Sequence, residues 1–354
     1  MLPQLLLALG VWFSSTLAES DHCTSAHART RVPRGAIAVD GSGKIRDAFT
    51  TIAKAIDALD KETVGPQAIF IYPGVYEEQV YIPPLLGPLS VHGWTCNTHR
   101  HAENEVAITY NASRLSPGVK RLDQTATVRV WSPRVKLYNL NITNDFGPAF
   151  HKGQAAALSA QATELGVYSC SLKSWEDTLY ANVGRQLYAK TYINGAVDFI
   201  LGTKAIAWFE ACDIVSVDDG WITAHGRESP DSPSFFVFDR CHVSGKKKAS
   251  TYLGRPWGPY PRVVFQESHL GDVVNHKGWS KRGLIHSDDE NIFFGEFLNN
   301  GPASAWEPIV GTGPATGKRV NFAKELPKEL MAIGIMGPNW RKEWWVDQGY
   351  LRQM

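Results

Sequence analysis

Apolar positions along the chain change their period early and then settle. Phe49, Ile52, Ile56 and Leu59 recur at steps of three and four, which places them on one face of a short helix. Beyond it, short apolar runs dominate, such as residues 68–72, 128–131 and 135–140, separated by Gly, Pro, Asn and Asp. No helical pattern alternates with these runs, which argues against a doubly wound α/β sheet. Four later segments share one pattern, aromatic-x-x-small-x-aliphatic. They start at Tyr188, Phe209, Phe238 and Phe265 and end at Ile193, Ile214, Val243 and Leu270. Two shorter versions, from Tyr138 and Tyr168, end at Ile142 and Leu172. The aliphatic ends are separated by 30, 21, 21, 29 and 27 residues. A unit this short cannot bury its own apolar face and must stack on its neighbours. Strand signals in each unit therefore predict a parallel β-helix with one N-terminal helix, its longer coils extruding loops to one side.

Stacking makes a statement about the cysteines. Cys212 and Cys241 occupy the same repeat position on adjacent coils, and a coil spacing of ~4.8 Å lies within the Cα range of a disulfide. A Cys212–Cys241 bridge is expected, with two stacked buried thiols as the alternative. Cys170 and Cys212 are separated by the coil of Thr191, ~10 Å, too far to close. The partners of Cys96 and Cys170 stay open, and an odd total of 5 cysteines leaves at least one without an internal partner.

Composition narrows the classes. With 36 Lys+Arg against 35 Asp+Glu the chain has no charge excess to draw it to nucleic acid or to an anionic membrane. Its 12 Trp exceed what a core of this size requires. They suit either extra core packing or a surface that stacks on sugar rings. Residues 5–12 form an apolar run followed by Thr16 and Ala18, small residues at a cleavage-like position. A leader over residues 1–18, export, and one domain over residues 19–354 are the expectation. The run is too short to span a bilayer. Asn111 and Asn141 begin glycosylation sequons.

The chain lacks a Gly-x-Ser-x-Gly elbow, a His-Glu-x-x-His pair and a phosphate-binding Gly-x-x-x-x-Gly-Lys loop. The repeat supplies a different constellation. Gln154, Glu176 and Asp198 are spaced by 22 and 22, with Asp177 beside Glu176, and would form a column on three successive coils. Apolar neighbours make these carboxylates costly to ionise, so that one keeps its proton and another its charge. That division suits a general acid beside a nucleophile or base. Spacing alone leaves a structural ladder equally open. Arg255, in the extended segment 251–257, could hold Asp198 ionised, or could be a surface Arg packed on Trp257.

Five stretches in order resemble the pectin methylesterase family: 74–78 (GVYEE), 154–158 (QAAAL), 176–180 (EDTLY), 198–202 (DFILG) and 253–257 (LGRPW). With weaker echoes they extend from about residue 40 to 325. The resemblance implies a right-handed parallel β-helix that removes methyl esters from polygalacturonate and needs no metal or organic cofactor. It implies Asp198 as nucleophile and Asp177 as acid and then base. Arg255 would orient Asp198, Gln154 would donate to the oxyanion, and Trp257, Tyr180 and Phe199 would line the sugar cleft. His225 lies in one of the weaker echoes and receives no catalytic role. The expected partner is methyl-esterified homogalacturonan, bound by a secreted monomer, with no nucleic acid or membrane involved. One departure stands out: Glu176 occupies the place of the family's usual second oxyanion donor, a Gln. A protonated Glu can donate and an ionised one cannot. The expectation is an esterase favoured by acid, against a weakly active or merely pectin-binding solenoid. A pectin lyase or a glycosidase would differ in its products, an unsaturated sugar or a new reducing end instead of methanol.

Overall fold

The computed structural model describes residue 23 and residues 25–148, 153–281, 288–305 and 319–353; the expected leader lies outside them. Among the described residues the chain winds into a parallel β-helix of three sheets, with eleven, eight and seven strands. A full coil contributes a strand to the eleven-stranded sheet, then one to the eight-stranded sheet, then one to the seven-stranded sheet. The strands Val183–Ala189, Tyr192–Gly195 and Ile200–Gly202 make one such coil.

The repeat read from the sequence is the register of the coils. Ile142, Leu172, Ile193, Ile214, Val243 and Leu270 pair in that order across the eight-stranded sheet. All six are buried in the core that runs through the coils. The aromatic positions stack as face-to-face rings: Tyr188 on Phe209 at 4.7 Å, Phe209 on Phe238 at 4.3 Å and Phe238 on Phe265 at 4.2 Å. Offset aromatic stacking adds about 0.5–1.5 kcal/mol per pair beyond area burial.

In seven coils one residue makes the bend that follows the strand of the eleven-stranded sheet. Asn139, Ser169, Lys190, Ala211, Arg240, Glu267 and Leu298 all adopt left-handed backbone, with φ between 43° and 54°. Each such L-residue costs roughly 1–2 kcal/mol. The bends persist because coil-to-coil bonding runs through them. The N–H of Lys190 donates to the carbonyl of Glu210 at 3.0 Å, and that of Ala211 to Asp239 at 3.0 Å.

The N-terminal helix spans Ile52–Asp57, shorter than its apolar spacing suggests, with Phe49 and Leu59 outside it. Its start is held by Thr51, which caps Lys54, and by Glu78, whose two oxygens accept from the N–H groups of Ile52 and Ala53 at 2.8 Å. The C-terminal segment folds back over the outer face of the eleven-stranded sheet. There Met336, Trp340, Trp345 and Tyr350 bury against Tyr138, Tyr168, Trp208 and Val237. Much of the tryptophan excess is therefore packing.

The cysteine expectation is corrected. The disulfide joins Cys23 and Cys96, while Cys212 and Cys241 are free and buried, as is Cys170. Cys212 and Cys241 do stack on adjacent coils, but in-register side chains run parallel, so their Cβ atoms keep the coil spacing of ~4.8 Å, beyond the ~3.5–4.5 Å that a bridge accepts. Each thiol points back to a carbonyl of the preceding coil instead, Cys212 Sγ to Tyr188 O at 3.2 Å and Cys241 Sγ to Phe209 O at 3.5 Å. Of the sequon residues, Asn111 is exposed, whereas Asn141 lies in a strand with its Nδ2 donating to the carbonyl of Asn104 at 3.0 Å.

Thiol titration checks the pairing. Unfolded without reductant, the protein should expose three thiols, and in the native state none should react. A single thiol on unfolding would restore the Cys212–Cys241 bridge.

Candidate active site

The outer face of the seven-stranded sheet carries the chemistry. Along it Tyr180, Leu201, Ala224 and Arg255 stand in register on four successive coils. They line a cleft of about 450 Å³ together with Gln154, Glu176, Asp177, Asp198 and Trp257. Seven of the site residues expected from the sequence thus meet in one place. Phe199 does not: it is fully buried in the core. Asp198 has φ 48°, a conformation that Asp tolerates, and this turn sends its side chain outward and the following residue inward. Gly195 makes the room, since a Cβ there would stand 2.3 Å from Phe199 Cβ.

The column of 22-residue steps is also corrected. Glu176 pairs with Val197, so the aligned residues are Asp177 and Asp198, 21 apart and both left-handed, with φ 66° and 48°. Glu176 is displaced by one position toward Gln154, whose Nε2 donates to its Oε1 at 2.7 Å.

Arg255 reaches Asp198 across an intervening coil, and the small Ala224 beneath it leaves the path open. The contact is bidentate, Nε to Oδ1 at 2.9 Å and Nη2 to Oδ2 at 2.6 Å. The guanidinium also lies 3.8 Å above the ring of Trp221, which belongs to that intervening coil. The indole therefore fixes the plane of the arginine while the carboxylate fixes its fork. Sequence reading missed Trp221, because its place beneath Arg255 appears only once the coils are packed. It missed Gly226 for the same reason. A Cβ on Gly226 would come within 2.5 Å of Trp257 Cε3, so the glycine seats the cleft's tryptophan.

Three carboxyls share this site with one paired guanidinium. Burial pushes Asp177 well above its ordinary range, and the charges of Asp198 and Glu176 push it further. Burial also raises Glu176; the bond from Gln154 opposes this and the charge of Asp198 adds to it. Asp198 is raised by burial as well, against the hydrogen bonds and charge of Arg255. The group in the ion pair is the one that best bears a charge, so Asp198 ionises most readily, while Asp177 and Glu176 hold their protons to higher pH than ordinary carboxyls do.

His225 is buried outside the cleft lining. Its Nδ1 accepts from the N–H of Arg262 at 2.9 Å, so Nε2 carries the proton and donates to Ser234 Oγ at 2.9 Å. Burial first, then Arg262 and Arg227, lower its pKa to about 3, and it remains neutral. Among the described residues, no group of three or more His, Cys, Asp or Glu could hold a metal ion.

Removing Arg255 alone should expose the cost of the charge it balances. Arg255→Met is expected to lose about 3–5 kcal/mol at neutral pH. The loss should shrink as acid protonates Asp198, whose pKa rises further without its partner. Adding Asp198→Asn should recover most of it. Urea unfolding at neutral and acid pH reads these differences, and a loss independent of pH would mean that packing on Trp221, not charge, holds the arginine.

Comparison with known proteins agrees with this geometry. The family profile named Pectinesterase matches residues 35–315. A pectinesterase of Aspergillus aculeatus is 40% identical over 346 residues, 95% of this chain and 99% of that one. One from Aspergillus niger is 41% identical over 334 residues, 92% and 95% of the two chains. The crystal structure of the Aspergillus niger pectin methylesterase superposes with a TM-score of 0.80 at 33% identity, covering 91% of this chain and all of that one. The carrot pectin methylesterase shares the fold, with a TM-score of 0.75 at 24% identity over 89% of this chain and 97% of that one. Its coil register, the carboxylates gathered on one sheet and these matches together show that the chain belongs to the pectinesterase family.

Proposed function

We propose that the cleft de-esterifies pectin through Asp198 as nucleophile and Asp177 as the acid and base. The observation that carries this assignment is the bidentate Arg255–Asp198 pair set against a buried Asp177 whose pKa is pushed well above the ordinary range. A carboxylate oxygen of Asp198 attacks the C6 carbonyl carbon of a methyl-esterified galacturonate. Negative charge gathers on the carbonyl oxygen, where the second N–H of Gln154 donates. As the tetrahedral species collapses, the bond to the methoxyl oxygen breaks and Asp177 supplies its proton, so methanol leaves. The acyl group is then an anhydride on Asp198. Asp177, now a carboxylate, removes a proton from water as the water oxygen attacks. Collapse frees Asp198 and leaves a galacturonic acid, so one ester and one water become one acid and one methanol.

Glu176 enters as the second oxyanion donor. The bond from Gln154 Nε2 makes Oε1 an acceptor, which leaves Oε2 to hold the proton. The raised pKa means that this proton is kept below the raised value and lost as pH climbs through it. Loss removes a donor and places a negative charge where another develops. Activity should therefore be greatest in acid and fall as Glu176 ionises.

The protein works outside the cell as a monomer. The apolar run at residues 5–12 and the Cys23–Cys96 disulfide support export. No helix among the described residues is long and apolar enough to cross a membrane. Asn111, exposed, is the glycan acceptor, while the amide of Asn141 is engaged in the sheet.

Methanol release from highly methylated pectin across the pH range tests the activity. The unmodified protein should release it best in acid, with chelator making no difference. Asp198→Asn should lower kcat by about 10⁴-fold or more. Glu176→Gln should move the alkaline limb to higher pH and raise kcat near neutrality by up to about 100-fold. An unchanged rate and pH profile in that variant would remove Glu176 from the mechanism. No methanol at any pH, with pectin still bound, would make the protein a pectin-binding solenoid.

A further inference from the structure

His225 has no part in the steps above, yet three segments of the chain meet on it. It ends the strand Gly220–His225 of the seven-stranded sheet and is fully buried. Its carbonyl accepts from the N–H groups of Trp257 and Gly258, both at 3.1 Å. Its Nδ1 accepts from the N–H of Arg262 at 2.9 Å. Two acceptors of one residue thus hold both ends of the connection 257–262. The middle is held by the N–H of Tyr260, which donates to the carbonyl of Arg227 at 3.1 Å. That connection carries Trp257, which lines the cleft. The indole rests on Gly226, the residue after His225, so its place follows the backbone of 257–258.

The ring can play this part in one protonation state. Ser234 Oγ gives its own proton to the carbonyl of Ala205 at 2.8 Å, so toward His225 Nε2 it accepts. The proton of the neutral ring is therefore on Nε2, and Nδ1 is bare. A second proton would turn Nδ1 into a donor facing the N–H of Arg262. Burial opposes that charge first. The guanidiniums of Arg262 and Arg227 oppose it next, and together they hold the pKa at about 3. Both guanidiniums converge on the carbonyl of Ser232, at 3.0 and 2.8 Å, and neither pairs with a carboxylate among the described residues. Phe236 closes the remaining side, its ring 4.5 Å from the imidazole. An ordinary imidazole would be charged below about pH 6.5, whereas this one stays an acceptor in the acid range where the esterase is expected to work.

We infer that His225 is a positioning residue for substrate binding: its carbonyl and Nδ1 fix the connection 257–262 and, through it, the indole of Trp257 against the sugar chain. This rests on the esterase reading, in which Trp257 is a wall of the cleft. The side chain must present one acceptor to Arg262 and one donor to Ser234. A neutral His or a Gln supplies both, and Ala or Phe supplies neither.

Initial rates of methanol release from highly methylated pectin test this in His225→Ala, His225→Phe and His225→Gln, each alone and combined with Trp257→Ala. Ala and Phe should raise KM about tenfold while kcat falls much less, since a misplaced wall weakens ground state and transition state alike. Phe keeps the volume of the ring, so its effect reads the hydrogen bonds rather than the packing. Gln should recover most of the loss. In the Trp257→Ala background the same substitutions should cost almost nothing further, because the group they misplace is gone. If the Ala and Phe variants do not fold, Ser234→Ala carries the test. It frees the ring proton to move to Nδ1, which breaks the bond from Arg262, and it should raise KM only while Trp257 is present. Additive losses in the double variants, or an unchanged KM in His225→Phe or in Ser234→Ala, overturn the inference and leave the esterase standing. A protein that releases no methanol overturns the esterase reading. Calorimetric binding of a methyl-esterified galacturonate oligomer then replaces KM, and the same pattern of coupling to Trp257 decides the role of His225. An oligomer that does not bind overturns both.

Discussion

In-register stacking of coils at ~4.8 Å is the constraint on which everything else in this molecule depends. No coil has enough residues to enclose an apolar interior, so each takes its inner surface from the coils above and below. The aliphatic column from Ile142 to Leu270 and the ring stack from Tyr188 to Phe265 are the direct expression of that need. A slip of one residue in any coil would turn its inward set outward. The active site exists only because the register is held. Gln154, Asp177, Asp198, Trp221 and Arg255 lie on different turns of the chain, and Arg255 is 57 residues from the carboxylate it clasps.

The site then exploits the rigidity of the stack. Turning a carboxylate outward between two sheets requires a backbone that most residues resist, and Asp is among those that tolerate it. Asp177 and Asp198 both use this turn, which aims them from successive coils into one cleft. Burial there makes every charge expensive, and the paired guanidinium favours that charge on Asp198. The two aspartates are thus separated by environment, although both share the same backbone conformation. Glu176 belongs to the same balance. Placed beside two other acids and under the amide of Gln154, it occupies a setting that favours its proton.

How much of this was legible depends on the range of the interaction concerned. The repeat is local in each coil, so its spacing could be counted, and the counted aliphatic ends are the observed register partners. The helix near Ile52 was readable for the same reason, whereas the cleft carboxylates were named from short motifs that resemble the family's, since spacing alone left a structural ladder equally open. The 22-residue column was off by one, because length between two like residues does not say where in a turn each one sits; Glu176 aligns with Val197, not with Asp198. Phe199 was placed on the wrong side because its direction follows from the sign of one φ angle in the residue before it.

The sequence by itself determined the solenoid, its core ladder and the set of groups available for chemistry, since these follow from periodicity and composition along the chain. The tertiary structure alone decided which of those groups touch. The cysteine pairing turned on the parallel direction of Cβ vectors in stacked coils. The seats of Arg255 on Trp221 and of Trp257 on Gly226 turned on side chains brought together by register rather than by proximity along the chain. Contacts of this kind are set by through-space distances of a few ångströms between residues tens of positions apart, and only the packed coils supply those distances.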